Sequence, residues 1–201
     1  MRTLLLATVL ATGAAAAPAD LAAELRARLD AAPLVRGSFV QEKTLVGFAK
    51  PLVSRGSFVY ARELGVIWAT ERPFPARLAV TRGRLVARDA DGRIALELDL
   101  GAQRGGGGFD GLLFALVGGD VAALQASFEV EGELRADGRW SLRMQPRDAT
   151  LTRALRSIAL EGGRFVETVR VAESNGDASI IRFADHAPGP PLSPAERAEL
   201  E

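Results

Sequence analysis

Apolar and polar side chains alternate along much of this chain, and this alternation limits the possible folds more than any other feature of the sequence. In segment 94–100, IALELDL, an aliphatic side chain occupies every second position. A period of two is typical of a β-strand, so we expect one face of this segment to be buried and the other solvated. Similar segments recur along the chain, separated by turn-forming pairs such as Asp91-Gly92 and Asp137-Gly138. The pattern predicts about ten or eleven antiparallel strands with few helices, as in a sandwich or a barrel.

The pentapeptide RGSFV occurs at residues 36–40 and again at residues 55–59. The sequences around the two copies show no wider similarity, which argues against a repeat of a larger unit. We interpret the copies as two neighbouring strands of one sheet, each of which turns its phenylalanine, Phe39 or Phe58, towards an apolar side. The function of the protein then depends on what binds or packs against this apolar surface.

Two segments depart from the strand period and predict helices. Leu21, Leu25 and Leu29 recur four residues apart, which places them on one stripe of a helix that ends before Pro33. The segment 109–117 is apolar on almost every side and follows a glycine-rich stretch, so most of its surface must be buried. The helices either fill the centre of the sheet as a plug or cover a cavity that accepts an apolar ligand. The pattern leaves both alternatives open.

Composition argues against catalysis, metal binding and nucleic-acid binding. The chain contains no cysteine, and its one histidine, His186, stands at the start of a proline-rich C-terminal segment. No nucleophile motif and no metal-binding motif such as His-Glu-x-x-His occurs. The formal net charge is zero, whereas nucleic-acid binding requires a basic surface. We therefore expect no enzyme activity, no cofactor, no metal site and no nucleic-acid partner.

The two ends of the chain differ from the segment between them. Residues 1–17 combine a basic start, an apolar run and a set of small residues, which is the layout of a secretory signal peptide cleaved near Ala16 or Ala17. The apolar run is shorter than the ~20 residues that a membrane-spanning helix needs, so we expect export to the periplasm. Residues 18–186 are expected to form one domain, and residues 187–201, rich in proline and then in charge, a loose tail.

Four short segments follow one another in an order that points to a known family. They are the end of the first predicted helix at 25–30, Ser-Phe-x-Gln at 38–41, Arg-Gly-Ser-Phe at 55–58 with Trp68 and Pro73 after it, and the apolar segment 112–117. In this order and spacing the chain resembles the LolA family, periplasmic carriers of outer-membrane lipoproteins. The resemblance covers most of the chain after the signal segment. It implies a mainly β fold: an open, strongly curved antiparallel sheet, an incomplete barrel of about eleven strands, lidded by short α-helices.

The resemblance also implies a function and a set of site residues. The function is that of a periplasmic carrier whose lidded apolar cavity shields the acyl chains of a lipidated cargo, either a lipoprotein or another acyl lipid. The expected partners are this cargo, an inner-membrane exporter and an outer-membrane acceptor, and the carrier is expected to be a monomer without cofactors. Arg62 matches the family arginine that latches the helical lid. The residues expected to line the cavity are Leu25, Leu29, Phe39, Phe58, Val66, Trp68, Leu112, Leu113 and Leu116.

A second class of function is compatible with the same sequence pattern. In this alternative the sheet is solidly packed, has no ligand cavity, and serves as a non-catalytic periplasmic scaffold or assembly factor through protein–protein contacts. A lidded cavity binds an environment-sensitive apolar dye at one site, whereas a packed sheet does not, so dye binding separates the two alternatives.

Overall fold

The computed structural model describes residues 18–29, 31–99 and 121–201. Within these ranges the chain forms helices α1 (Pro18–Arg28), α2 (Val121–Gln125), α3 (Ala149–Ala154) and α4 (Pro194–Leu200). The strands are β1 (Leu34–Thr44), β2 (Leu52–Ala61), β3 (Gly65–Arg72), β4 (Ala76–Thr81), β5 (Arg84–Arg88), β6 (Ile94–Asp99), β7 (Phe128–Leu134), β8 (Trp140–Pro146), β9 (Leu155–Gly162), β10 (Val166–Glu173) and β11 (Ala178–Pro188). The expected signal peptide at 1–17 and the helix expected at 109–117 lie outside the described residues.

The eleven strands form one antiparallel sheet with the order β6-β5-β4-β3-β2-β1-β11-β10-β9-β8-β7. Its edge strands are β6 and β7, and the sheet does not close between them. The prediction of a mainly β, open antiparallel sheet of eleven strands with few short helices is therefore confirmed. Gly92 and Gly138 have positive φ angles of 80° and 83°, a conformation that favours glycine, so both predicted turns are also confirmed.

The two RGSFV segments lie directly opposite each other on β1 and β2. Gly37 pairs with Phe58, and Phe39 pairs with Gly56. A Cβ atom at Gly37 would stand 2.5 Å from Cε1 of Phe58, and a Cβ atom at Gly56 would stand 3.0 Å from Cε1 of Phe39. Each glycine therefore leaves room for the phenylalanine ring of the other copy. The prediction of two neighbouring strands is confirmed, and the pairing explains why the same pentapeptide occurs twice.

The sheet has an inner face, which carries helix α1, and an outer face, which carries helix α4. Strand alternation separates the two faces: on β2, Phe58 and Tyr60 belong to the inner core, whereas Val59 and Ala61 belong to a smaller outer cluster with Leu200 of α4. The inner core joins helices α1 and α2 to most of the strands, with buried side chains that include Leu21, Leu25, Phe39, Val66, Leu124, Phe128, Trp140, Leu160 and Phe183.

The side chains of edge strand β6 are more exposed than their alternation in the sequence predicts. Its aliphatic residues Ile94, Leu96 and Leu98 point to the inner face, since Leu98 pairs with Leu85 of that face. These three side chains are nevertheless 51%, 47% and 43% exposed, so the expectation of a buried face is wrong. The reason lies in the topology, because the helices α1 and α2 pack on β7 at the opposite edge of the sheet.

The C-terminal residues also differ from expectation, since a docked helix replaces the loose tail expected at 187–201. Strand β11 continues to Pro188, and α4 then lies on the outer face with Leu200 only 4% exposed. Ser193 is the N-cap of α4 and forms a capping box with Glu196, so each satisfies a backbone N–H of the other. The sequence carries this signal, but only the docked position shows that the helix belongs to the domain.

Two ion pairs attach α4 to the sheet. Arg36 of β1 donates from Nη1 and Nη2 to the Glu196 carboxylate at 2.5 Å and 2.9 Å. Arg77 of β4 donates from Nε to the two oxygens of Glu199 at 2.7 Å and 3.0 Å. The hydrogen bonds from Arg36 lower the pKa of Glu196 to about 2, because they favour the ionised carboxylate.

Replacing Glu196 with glutamine should lower the free energy of unfolding by about 1 to 2 kcal/mol at neutral pH, because the pair is only partly screened by solvent. A carboxyl group with a depressed folded-state pKa stabilises the protein above its ordinary pKa of 4.5, and this contribution disappears as the pH falls towards 2. The difference between wild type and E196Q in urea unfolding should therefore shrink on acidification from neutral pH. Glu201→Gln is the control, since the Glu201–Arg197 pair is 57% and 55% exposed and should contribute little.

Candidate functional site

A small cavity lies at the end of the inner face where the β2–β3 and β9–β10 turns meet. Its volume is about 30 Å³, which leaves room for about one water molecule. The cavity walls come from the residue after α1, the four strands β1, β2, β10 and β11, and the two turns: Leu29, Val35, Phe58, Tyr60, Arg62, Arg164, Phe165, Val166, Phe183 and His186. Around this cavity, the buried side chains of the described residues pack against one another.

Aromatic rings fill the inner face beside this cavity. The ring centroids of Phe39 and Trp68 are 3.8 Å apart, and those of Phe58 and Phe183 are 5.3 Å apart in an edge-to-face arrangement. Trp68 also meets Phe183 edge-to-face at 5.7 Å. Ring pairs of this kind contribute about 0.5–1.5 kcal/mol beyond their buried area. These ring contacts stabilise the packing of the inner face.

Helix α1 covers part of the inner face and is attached at its C-terminal end by one side chain. Leu21 and Leu25 are 4% and 0% exposed and belong to the inner core. Arg28 Nη1 donates to the backbone carbonyl of Arg135 at 2.7 Å and to that of Arg139 at 3.3 Å, both in the β7–β8 turn. The sequence analysis did not identify Arg28, although a basic residue in the last turn of a helix is a known place for such contacts.

The structure brings together the described members of the predicted cavity lining. Leu25, Phe39, Phe58 and Val66 are buried in the inner core, and the partly buried Leu29 and Trp68 pack against it. Of these residues, Leu29 and Phe58 also line the small cavity. The other predicted members, Leu112, Leu113 and Leu116, lie outside the described residues.

Arg62 lines the cavity and directly follows the last residue of β2. Its backbone N–H donates to the carbonyl of Pro33 at 3.0 Å, which ties the β2–β3 turn to the segment after α1. Its guanidinium carbon stands 5.9 Å from the centre of the Tyr60 ring. The role of Arg62 as a latch for the lid stays a prediction.

The lining residues that were not identified from the sequence include Arg164, Phe165 and His186. His186 belongs to strand β11 and stacks on Phe165, with ring centroids 4.7 Å apart and an interplanar angle of 3°. Its ring also meets the edge of Phe58 at 5.7 Å. Burial lowers the pKa of His186 below its ordinary value, so the neutral imidazole is favoured. No periodic pattern pointed to these residues, because they come from a turn and from the irregular end of a strand.

Within the described ranges, no group of three or more His, Asp or Glu residues is arranged to hold a metal ion. No helix among the described residues is both long enough and apolar enough to cross a membrane.

The family described as outer membrane lipoprotein carrier protein LolA matches residues 32–196. The chain belongs to the LolA family. The family assignment expected from the sequence is thus confirmed, and the match includes strand β11 and the start of helix α4.

Several solved structures of low sequence identity are similar to this LolA family member. A DUF1329 family protein from Desulfovibrio piger is 13% identical, with a TM-score of 0.50 over 92% of this chain and 98% of that one. A LolA superfamily protein from Nitrosomonas europaea is 10% identical, with a TM-score of 0.49 over 89% and 96%. A putative outer membrane lipoprotein-sorting protein domain from Vibrio parahaemolyticus is 8% identical, with a TM-score of 0.48 over 90% and 97%. Comparison with curated proteins gave no match.

Proposed function

We propose that this LolA family member is a periplasmic carrier that shields the acyl chains of a lipidated cargo between its inner face and helix α1. The cargo is a lipoprotein or another acyl lipid, received from an inner-membrane exporter and passed to an outer-membrane acceptor. The observation that carries the proposal is an apolar inner face covered by a helix whose C-terminal end is held through Arg28. Membership of the LolA family supports it.

The physical mechanism is an exchange of apolar contacts. An acyl chain exposed to water costs about 0.8 kcal/mol per CH₂ group, so a lipidated cargo needs a cover to cross an aqueous compartment. The empty carrier is closed, with Leu21 and Leu25 of α1 buried in the core. When α1 lifts, an acyl chain replaces these leucines, and the net gain is small enough for later release. No catalytic group and no cofactor takes part in such an exchange.

The exposed aliphatic side chains of β6 support the same proposal. Ile94, Leu96 and Leu98 continue the apolar inner face beyond the closed core. Apolar side chains exposed in a row are typical of binding surfaces. We infer that part of a long acyl chain lies along this strand once the carrier is loaded.

The scaffold alternative is favoured by one observation, the small volume of the cavity. At about 30 Å³ the cavity of the closed form holds no acyl chain, as expected of a solidly packed sheet. Titration with an environment-sensitive apolar dye tests the two functions. A carrier should bind one dye per chain, and a C16 fatty acid should displace it. Unchanged fluorescence at all dye concentrations would favour the scaffold and contradict the carrier.

Arg62 is proposed as the latch that holds the lid on the empty carrier. Arg62→Leu removes the guanidinium and adds apolar area, so we expect a fluorescent acyl ligand to leave this variant about tenfold more slowly for acceptor vesicles. Arg62→Lys should show a smaller change in the transfer rate, since an ammonium group lacks the planar fork of donors. Equal transfer rates of all three proteins, at equal stability, would show that Arg62 is only a charge at the rim of the cavity.

A further inference from the structure

The tip of the β1–β2 hairpin exposes a group of large apolar side chains. Val46, Phe48, Leu52 and Val53 are 65%, 64%, 52% and 41% exposed. Single exposed apolar residues are normal on a protein surface, whereas several in one place are typical of a binding surface. We call residues 45–53 the hairpin tip and ask what covers it.

The hairpin tip projects beyond the neighbouring strands of the sheet. The pairing of β2 with β3 begins only at Arg55, so Leu52 and Val53 lie beyond it and pair with β1 alone. On the other side of the hairpin, the pairing of β1 with β11 ends at Thr44. The tip is therefore a projection at one end of the sheet and does not form the wall of a groove.

Apolar side chains occupy both sides of this projection. Strand alternation places Leu52 on the same side as Phe58 of the inner face, and Val53 on the same side as Val59 of the outer face. A partner protein that packed on one side of the hairpin would leave the other side in water. A lipid bilayer surrounds an inserted segment on all sides, so the distribution of apolar groups favours a bilayer.

Contacts with the β10–β11 turn hold the base of the hairpin tip. The Val46 backbone N–H donates to Oδ1 of Asp177 at 2.9 Å, and Lys43 Nζ donates to Oε1 of Glu173 at 2.9 Å. The same contacts bind the two carboxylates of that turn to groups of the hairpin. The exposed apolar side chains are thus presented by a segment that is fixed to the rest of the sheet.

The one charged residue of the hairpin tip is basic. Lys50 is exposed and lies between Phe48 and Leu52 in the sequence, and segment 44–62 contains no aspartate or glutamate. A lysine beside inserted apolar side chains can extend its ammonium group to the level of the lipid phosphates. Basic residues near a bilayer are also attracted to anionic lipids, which adds to the free energy from buried apolar area.

We propose that the hairpin tip docks this protein onto the surface of a lipid bilayer, with Phe48 and Leu52 inserted and Lys50 at the phosphate groups. The inference goes beyond the proposed function, which assigns cargo exchange to membrane partners and no lipid contact to the carrier itself. The small cavity lies at the opposite end of the sheet, beside the β2–β3 turn. Docking through the tip leaves that end free to meet an exporter or an acceptor.

A fluorescent label at the tip tests whether it enters the bilayer. The chain has no cysteine, so one engineered cysteine directs an environment-sensitive label to one position. Ala49→Cys places the label in the hairpin tip, and Ala136→Cys places it in the exposed β7–β8 turn at the other end of the sheet. With vesicles of phosphatidylcholine and about one-third phosphatidylglycerol, only the label at position 49 should shift its emission to shorter wavelength.

Variants assign vesicle binding to the side chains of the tip, measured by flotation of protein from a periplasmic extract. Phe48→Ser should weaken binding about tenfold, whereas Phe48→Leu, which keeps an apolar side chain, should stay within about threefold of wild type. Lys50→Gln should weaken binding to the anionic vesicles about fivefold and leave binding to pure phosphatidylcholine unchanged. Arg82→Gln makes the same change of net charge in the β4–β5 turn at the opposite end, and should have no effect.

Equal vesicle binding by wild type and Phe48→Ser, at equal stability in urea unfolding, would overturn the proposal. An unchanged emission of the label at position 49 would do the same. A wild type that binds no vesicles but forms a dimer, lost in Phe48→Ser, would assign the tip to a second copy of the chain and overturn bilayer docking.

Binding of the apolar dye, measured in parallel, separates this inference from the proposed carrier function. A protein that binds the dye but no vesicles contradicts bilayer docking alone. A protein that binds vesicles through the tip but takes up no dye contradicts the carrier function alone.

Discussion

Replacing Gly56 with alanine should destabilise this protein by about 3 kcal/mol or more, the largest single-residue effect that we expect. A Cβ atom at this position would stand 1.9 Å from the backbone carbonyl oxygen of Ala69 on the neighbouring strand β3. A backbone atom cannot rotate away as a side chain can, so the β2–β3 pairing must separate. Urea unfolding followed by the fluorescence of Trp68 and Trp140 measures the loss.

Gly83→Ala is the matched control for Gly56→Ala. Gly83 lies in the β4–β5 turn with no other atom within 4 Å of an added Cβ, so alanine should be neutral or slightly stabilising there. The two substitutions add the same methyl group and differ only in its surroundings. If both changed the free energy of unfolding by less than about 0.5 kcal/mol, the close approach of β2 and β3 would be contradicted.

Locking helix α1 to strand β7 should reduce acyl-ligand binding at least tenfold, the largest functional effect that we expect. An added Cβ at Gly132 would stand 2.9 Å from Cδ2 and 3.2 Å from Cδ1 of Leu21, so the two positions face each other and are the sites chosen for an engineered cysteine pair. The chain has no cysteine of its own, so the engineered pair has no competing thiol. With α1 fixed, the cavity stays near 30 Å³, too small for an acyl chain.

Reduction of the same protein is the control for the locked state. The reduced L21C/G132C variant should bind the fatty acid within about threefold of the single variant Gly132→Cys, because α1 is again able to lift. Thiol titration verifies that the oxidised sample is cross-linked. Equal binding by the oxidised and reduced forms would show that acyl chains enter without movement of α1.

Much of the fold could be predicted from the sequence because its signals are local. The period of two in segments such as 94–100 indicates strands, and glycines at turn positions such as Gly92 and Gly138 separate them. The two RGSFV segments predicted neighbouring strands, and their glycines and phenylalanines do pair across β1 and β2. The order of these segments also predicted the LolA family, which the match over residues 32–196 confirms.

The candidate site could be predicted only in part. Residues that face inward on regular strands, such as Phe39, Phe58 and Val66, follow from alternation once one member of the strand is known to be buried. Other residues of the site lie outside regular strand positions: Arg28 at the end of a helix, Arg164 in a turn and His186 at the irregular end of a strand. Their positions depend on contacts with segments distant in the sequence, and the local periodicity of apolar residues does not predict such contacts.

The sequence by itself determined which segments are strands and on which face each side chain lies, because alternation is a property of the strand alone. Only the tertiary structure decided which faces are covered. Ile94, Leu96 and Leu98 alternate as well as any buried strand but stay exposed at the edge of the sheet. The charged C-terminal segment is docked because Arg36 and Arg77 of distant strands meet Glu196 and Glu199. Burial and ion pairing depend on which segments are neighbours in space. The order of the strands in the sheet brings together segments that are more than a hundred residues apart in the sequence, such as those of Arg36 and Glu196.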